Sequence, residues 1–136
     1  MSFIKWHPTL YSINVDEFDQ HHKNLVDLIN LFHQKMMDGK GQEVLEKVFK
    51  ELKDYTNYHF SAEERKMLAT NYPQYNTHKK EHENLIAQLD SLAEKAEQGE
   101  RFVSIETFKF LKEWLFDHIS RSDKAMGNYL NTMNIK

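Results

Sequence analysis

The amino-acid sequence predicts an all-α fold, an antiparallel up-down-up-down four-helix bundle with an N-terminal arm and a short C-terminal tail. Apolar residues recur with a helical period over four long segments, about 16–38, 42–70, 75–97 and 104–122. The connections between these segments are short, which favours antiparallel neighbours. The 136 residues include 4 glycines and 2 prolines, few for a turn-rich β architecture.

The arm, residues 1–15, carries apolar residues without a helical period and is expected to cover the core from outside. These residues are Trp6, Pro8, Leu10, Tyr11 and Ile13. Asp16 is a candidate N-cap for the first helix, with Asp19 at the reciprocal position of a capping box. The first helix is expected to stop at Asp38-Gly39-Lys40-Gly41.

The remaining helices follow from similar start and stop signals. The second begins near Gln42 and ends at Asn71-Tyr72-Pro73. The third is closed by Gly99, and the fourth is assigned Ser104 as its N-cap. Residues 123–136 form the tail, with room for a further helical turn or two. We expect one domain over residues 1–136.

Composition excludes several classes of function. The chain has no cysteine, which rules out disulfides, thiolate catalysis and cysteine-based metal sites. Its net charge is −3 and its lysines are interspersed with glutamates, so we expect no nucleic-acid partner. The N-terminus shows neither a signal peptide nor a membrane span, and a cytoplasmic location is the default expectation.

Histidines and carboxylates continue the apolar faces of all four predicted helices. The candidate metal ligands are His22, His59, Glu63, His78, His82, His118 and Asp123. Residues four positions apart lie on one helix face, so two of the predicted helices can each present a pair of ligands to one site. Imidazole and carboxylate without thiolate suit iron, manganese, copper or zinc. Seven ligands exceed the needs of one tetrahedral zinc, and two ions sharing bridging carboxylates would satisfy them.

Two positions in this set are not fixed by helical geometry. Asp123 follows His118 by five residues, about 140° around a regular helix. It can join the site only if the fourth helix ends or bends near Ser122. His21 and His22 differ by about 100°, so only one of them can point fully inward.

The residues resemble the hemerythrin family in its bacterial single-domain form. The resemblance covers nearly the whole chain. It rests on Trp6 and on the segments Asp19–Leu25, His59–Glu63, His78–His82 and Trp114–Asp123. The first of these motifs usually reads Gln-His-Lys, and here His21 stands at the Gln position, which makes His22 the ligand. His7 and His33 match no ligand position.

The resemblance implies a di-iron centre with an oxo or hydroxo bridge. His78, His82 and His118 would hold one iron, His22 and His59 the other, and Glu63 and Asp123 would bridge them. The second iron would keep one open position for O₂. The implied function is reversible O₂ binding for storage, transport or delivery, by a protein that is not an enzyme and is expected to be a monomer. The implied wall of the O₂ pocket is apolar and comprises Leu25, Val26, Ile29, Trp114, Leu115 and Ile119.

Three alternatives stay open at this stage. The chain could be an oxygen or redox sensor, a di-iron oxidase or peroxidase, or a structural bundle with an adventitious or zinc-filled site. Ferritin-like di-iron enzymes use Glu-x-x-His pairs, and no such pair occurs in this sequence. This absence favours reversible binding over oxygen activation.

Overall fold

The computed structural model describes residues 4–39, 42–97 and 105–136, and their regular structure is entirely helical. The elements are α1 (Pro8–Tyr11), α2 (Asp16–Met37), α3 (Gln42–Ala69), α4 (Tyr75–Glu97), α5 (Ile105–His118), a π-helical turn (Ile119–Asp123) and α6 (Lys124–Thr132). The four long helices α2 to α5 form the predicted bundle, so the fold class is confirmed. No helix within the described ranges is long and apolar enough to cross a membrane.

The apolar stripes of the helices meet in one core. Its members from α2 to α5 include Phe18, Leu25, Ile29, Phe32, Leu45, Phe49, Leu52, Met67, Leu85, Leu89, Leu111 and Leu115, all buried. Close packing of these side chains fixes the rotation of each helix about its axis. It therefore also fixes the direction of the polar residues that continue the same stripes.

The arm lies against the bundle as expected, although one turn of it is helical. Ile4 is buried, and its backbone N–H donates to the Asn30 side chain while its carbonyl accepts from the Asn30 amide. Ile13 is buried as well. Leu10 is 57 % exposed, so its predicted role in covering the core is wrong.

The predicted capping box at the start of α2 is also wrong. Asp16 is the first helical residue, and Val15 occupies the N-cap position without a side-chain cap. The Asp19 carboxylate instead accepts hydrogen bonds from the Ser12 hydroxyl at 2.5 Å and the Ile13 backbone N–H at 2.8 Å. Asp19 thus ties the arm to α2.

Residues in the left-handed conformation end the first two long helices. Gly39, with φ of 69°, follows the C-cap of α2, as the sequence predicts. Asn71, with φ of 54°, follows α3, and the Tyr72 N–H then reaches back to the Met67 carbonyl at 2.9 Å. The expected signals at Lys40, Gly41, Gly99 and Ser104 lie outside the described residues.

The tail is more helical than expected. The fourth helix does not end near Ser122 but passes through the π-helical turn directly into α6. Within α6, Gly127 packs against the arm so closely that a Cβ atom there would lie 2.3 Å from the Ile13 carbonyl oxygen. The arm and α6 therefore cover the same end of the bundle in direct contact.

Candidate metal centre

The structure brings all seven predicted ligands together in the bundle interior. His22 comes from α2, His59 and Glu63 from α3, His78 and His82 from α4, His118 from the end of α5 and Asp123 from the π-helical turn. Each of these residues is at most 3 % exposed. Unpaired buried imidazole and carboxylate groups are costly, so a cluster of this kind needs a common partner.

The seven side chains form two overlapping groups with room for a cation in each. One group comprises Glu63, His78, His82, His118 and Asp123, and the other comprises His22, His59, Glu63 and Asp123. Within each group the potential ligand atoms lie within 4.8 Å of one another. The two carboxylates belong to both groups, and the five histidines divide three to two between them.

Each carboxylate presents one oxygen to each group. Glu63 Oε1 lies 3.1 Å from His82 Nε2 and 3.3 Å from His78 Nε2, while its Oε2 lies 3.2 Å from His59 Nε2. Glu63 therefore stands between the two groups of histidines in the manner of a bridging ligand.

Asp123 also faces both groups, with one carboxylate oxygen toward each. Its Oδ1 lies 3.0 Å from His78 Nε2 and 3.1 Å from His118 Nε2, and its Oδ2 lies 3.0 Å from His22 Nε2. The sequence left the position of Asp123 open because, on a regular helix, its side chain would point away from that of His118. The π-helical turn resolves this, since its i to i+5 repeat aligns residues five positions apart.

Several of these close atom pairs lack hydrogen-bond geometry. Among the described residues, both carboxylate oxygens of Asp123, Oε2 of Glu63 and both ring nitrogens of His22 have no hydrogen-bond partner although all are buried. Buried polar atoms are seldom left unsatisfied in folded proteins. The donor set and these unsatisfied atoms fit divalent transition metal ions bound by nitrogen and oxygen.

The histidines and carboxylates shift one another's proton affinity. Burial alone would lower the pKa of His22 and of His78, but the carboxylates of Asp123 and Glu63 outweigh burial and raise both values to about 9. The pKa of His118 rises to about 10 for the same reason, chiefly through Asp123. The two carboxylates therefore favour the protonated form of these three imidazoles.

The carboxylates show the converse shift. Burial would raise the pKa of Glu63 and of Asp123, and Glu63 would raise that of Asp123 further, yet the surrounding histidines hold both values well below the ordinary range. Both groups are therefore ionised at neutral pH. Two buried negative charges are available to neutralise cations.

A second layer of residues contacts the cluster from outside, and the sequence did not identify it. Glu64 lies 2.9 Å from His82 Nδ1. Glu81 lies 3.6 Å from His118 Nδ1 and also accepts a hydrogen bond from the Ser122 hydroxyl. Glutamates on helices are usually solvent-exposed, so the residue type of Glu64 and Glu81 gave no signal. Their positions were the available signal, since Glu64 directly follows Glu63 and Glu81 directly precedes His82.

The two candidates at the start of α2 have different surroundings. His22 is fully buried and faces both carboxylates. His21 is 8 % exposed and shares a 2.9 Å hydrogen bond between its Nδ1 and that of His59. His7 is exposed and His33 is partly buried, and neither belongs to the cluster.

A small apolar cavity lies beside the cluster in the core. Its volume is about 20 Å³, and its wall comprises Leu25, Ile29, Leu52, Thr56, Phe60, Leu85, Leu89, Leu111, Trp114 and Leu115. The Thr56 hydroxyl donates to the Leu52 carbonyl and so offers no free proton to the cavity. Of the six predicted wall residues, Val26 and Ile119 are buried but do not line it.

Fold and cluster together define a helical-bundle protein with a thiolate-free metal site. A family model described as the hemerythrin HHE cation binding domain matches residues 14–130. The chain belongs to the hemerythrin family. Oxygen binding at a di-iron site is the function that this membership and this fold support.

Individual relatives align over almost the whole length of this chain. The chain is 32 % identical to the bacteriohemerythrin of Methylococcus capsulatus over 131 residues, which is 96 % of this chain and 99 % of the relative. It is 34 % identical to the bacteriohemerythrin of Pseudomonas paraeruginosa over 123 residues, 90 % of this chain and 78 % of that one. A crystal structure of wild-type hemerythrin superposes with a TM-score of 0.90 at 31 % identity and covers 95 % of this chain and 98 % of that chain.

Proposed function

We propose that this chain binds O₂ reversibly at a centre of two iron ions, for storage, transport or delivery. His78, His82 and His118 would hold one ion, His22 and His59 would hold the other, and Glu63 and Asp123 would bridge them, with an oxo or hydroxo group as third bridge. We further propose that the protein is a monomer and cytoplasmic, and that O₂ binding rather than catalysis is its role.

The unequal division of the histidines carries this proposal. With the third bridge, the group with three histidines would supply six ligands to its ion, and the group with two would supply five. Iron would supply the electrons for O₂ binding, and the group with two histidines would hold its ion with one protein ligand fewer than the other group. A fully symmetric ligand set would offer no such difference between the two positions.

The protein's own residues restrict what can happen at the site. Glu63 and Asp123 are ionised and buried, so they compensate cationic charge without exchanging protons with solvent. The neighbouring cavity is lined by apolar side chains and by the satisfied Thr56 hydroxyl. A dry wall without acidic protons favours release of O₂ unchanged over its reduction.

An oxidase or peroxidase activity is the main competing function. Five imidazoles and two carboxylates give fewer anionic ligands than the Glu-x-x-His sites of ferritin-like di-iron proteins. This composition favours the ferrous state and reversible binding over high-valent iron chemistry.

The test is a cycle of O₂ binding and removal. Purified protein is loaded with iron and reduced without air, O₂ is admitted, and the near-UV and visible spectrum is followed as O₂ is removed and readmitted. A charge-transfer band that appears and disappears over several cycles supports the proposal. A single irreversible change supports an oxidase, and no spectral response supports a structural role; either would overturn the proposal.

A ligand variant checks the site assignment in the same samples. His118→Ala should lower the bound iron well below two per chain, measured by elemental analysis. His7→Ala, an exposed histidine outside the cluster, is the control and should keep the wild-type iron content. Full iron and an unchanged spectrum in His118→Ala would contradict the assignment.

A further inference from the structure

A histidine outside the ligand set contacts one of the proposed ligands. Nδ1 of His21 lies 2.9 Å from Nδ1 of His59, and both residues are buried. The ring of His21 is enclosed by Phe18, Tyr55 and Tyr58, with ring centroids 5.4 to 6.1 Å away. These contacts hold the His21 imidazole against His59.

Only one of the two Nδ1 atoms can carry the proton that they share. A neutral histidine binds a metal through the nitrogen that has no proton, and its other nitrogen then donates a hydrogen bond. Nε2 of His59 faces the cluster, 3.2 Å from Glu63 Oε2. His59 can therefore bind metal only when its proton is on Nδ1 and His21 is the acceptor.

Glu63 favours the opposite arrangement. Its carboxylate attracts a proton to His59 Nε2, which would block that nitrogen for metal binding. Without an acceptor at position 21, a proton on Nδ1 of His59 would be buried without a partner, and such a group is costly. The acceptor at His21 therefore offsets the pull of Glu63.

We propose that His21 is a positioning residue that accepts the Nδ1–H of His59 and keeps Nε2 of His59 available for metal. This inference rests on the proposed function, because it requires His59 to be a ligand. His82 and His118 have carboxylates beside their Nδ1 atoms, from Glu64 and Glu81. His59 is the ligand whose Nδ1 meets a second imidazole instead.

The test compares variants that keep or remove the acceptor. His21→Gln retains an amide oxygen that can accept the bond, and His21→Leu removes it with an apolar side chain suited to the aromatic surroundings. His33→Leu, twelve residues further along α2, is the matched control. Each iron-loaded, reduced protein is exposed to a ferrous chelator, and the iron remaining per chain is followed with time. Thermal unfolding of each metal-free protein is measured in parallel.

In His21→Leu, the affinity for one of the two irons should fall about 10- to 100-fold, the usual effect of losing an outer partner of a metal ligand, and that iron should leave correspondingly faster. The other iron should leave at the wild-type rate, and the metal-free thermal midpoint should not fall. His21→Gln should release iron at close to the wild-type rate, because its amide oxygen keeps an acceptor for the His59 Nδ1–H. If His21→Leu does not fold, His21→Met carries the same expectation.

Three results would overturn the inference. They are wild-type iron release in His21→Leu, equal acceleration of both irons, and a His21→Gln variant that behaves like His21→Leu. If wild-type protein binds iron and cycles O₂ while the His21 variants are unaffected, this inference fails alone. If wild-type protein binds no iron, the proposed function fails and the inference fails with it.

Discussion

His118 Nε2 and Asp123 Oδ1 lie 3.1 Å apart because the helix that carries both residues widens into a π turn between them. A regular helix would separate their directions by about 140°. The Ser120 hydroxyl donates to the Phe116 carbonyl at 2.6 Å and supports the backbone at the start of this turn. The π turn therefore places a carboxylate between two groups of histidines, at a site where such irregularities are often functional.

Removing the charge of Asp123 should reduce metal binding at both positions. Asp123 lies within 3.1 Å of His22, His78 and His118, so Asp123→Asn weakens contacts in both groups. We expect the iron content, measured by elemental analysis, to fall from two per chain to one or fewer.

Asp117→Asn is the control for this variant. Asp117 lies on the same helix, is exposed, and pairs with Arg121 rather than with the cluster. It should retain the wild-type iron content. An Asp123→Asn protein with full iron and an unchanged spectrum would show that Asp123 is not a bridging ligand.

The sequence predicted the convergence of the ligands because it depends on spacing alone. The pairs His59/Glu63 and His78/His82 are one helical turn apart and continue apolar stripes, so burying those stripes also buries the pairs. Helical spacing could not place Asp123, because its position depends on one extra residue in a helical turn, and only the family resemblance assigned it to the site. Packing on both sides of the turn, rather than local helix propensity, decides whether the turn contains this extra residue.

The residues that contact the cluster from outside could not be predicted from the sequence for a different reason. Glu64 and Glu81 have the same residue type and helical context as the solvent-exposed glutamates of this chain. Apart from their positions next to candidate ligands, only the tertiary contact with a ligand distinguishes them. The Asp19 carboxylate gave a misleading signal, since it matched a capping pattern but binds the arm instead.

The metal-free protein should lose stability as pH rises from 6.5 to about 9. The folded pKa is about 9 for His22 and His78 and about 10 for His118, above the ordinary value of 6.5. A raised folded pKa stabilises the fold fully below the unfolded pKa, and the contribution is lost as pH rises through the folded value. Burial lowers the pKa of His59, so its own contribution has the opposite sign and is confined to the lower end of that window, near the ordinary value of 6.5.

Metal loading should reverse the direction of this pH dependence. Metal binding requires neutral imidazoles, so protons compete with metal and affinity rises with pH over the same window. Thermal midpoints of metal-free and iron-loaded samples, measured from pH 6.5 to 9, should therefore diverge. A metal-free midpoint that rises across this window would contradict the proton-linked cluster.

The hydroxyl of Tyr129 joins α6 to the end of α3. It donates to the Thr70 carbonyl at 2.5 Å, next to the left-handed Asn71. Tyr129→Phe should cost about 1 kcal/mol, the net value of one hydrogen bond. Chemical denaturation measures this difference directly. Tyr58→Phe, at a residue that is 56 % exposed, should change stability by less than about 0.5 kcal/mol.

Replacing Gly127 with alanine should destabilise the protein even though alanine favours helix. In an exposed helix, Gly→Ala gains about 1 kcal/mol. At position 127 the new Cβ would lie 2.3 Å from the Ile13 backbone oxygen and 2.9 Å from its Cβ, so the arm would have to move away from α6. Overpacking of this kind costs about 1–3 kcal/mol, and more where backbone must shift.

We therefore expect Gly127→Ala to lower the thermal midpoint by about 3 to 8 °C. Asn128→Ala, at the next and exposed position of the same helix, should leave the midpoint unchanged or raise it slightly, because it gains helix propensity without a contact. If both variants raised the midpoint alike, the arm would not be held against α6 in solution. In that case the burial of Ile13 would contribute little to closing this end of the bundle.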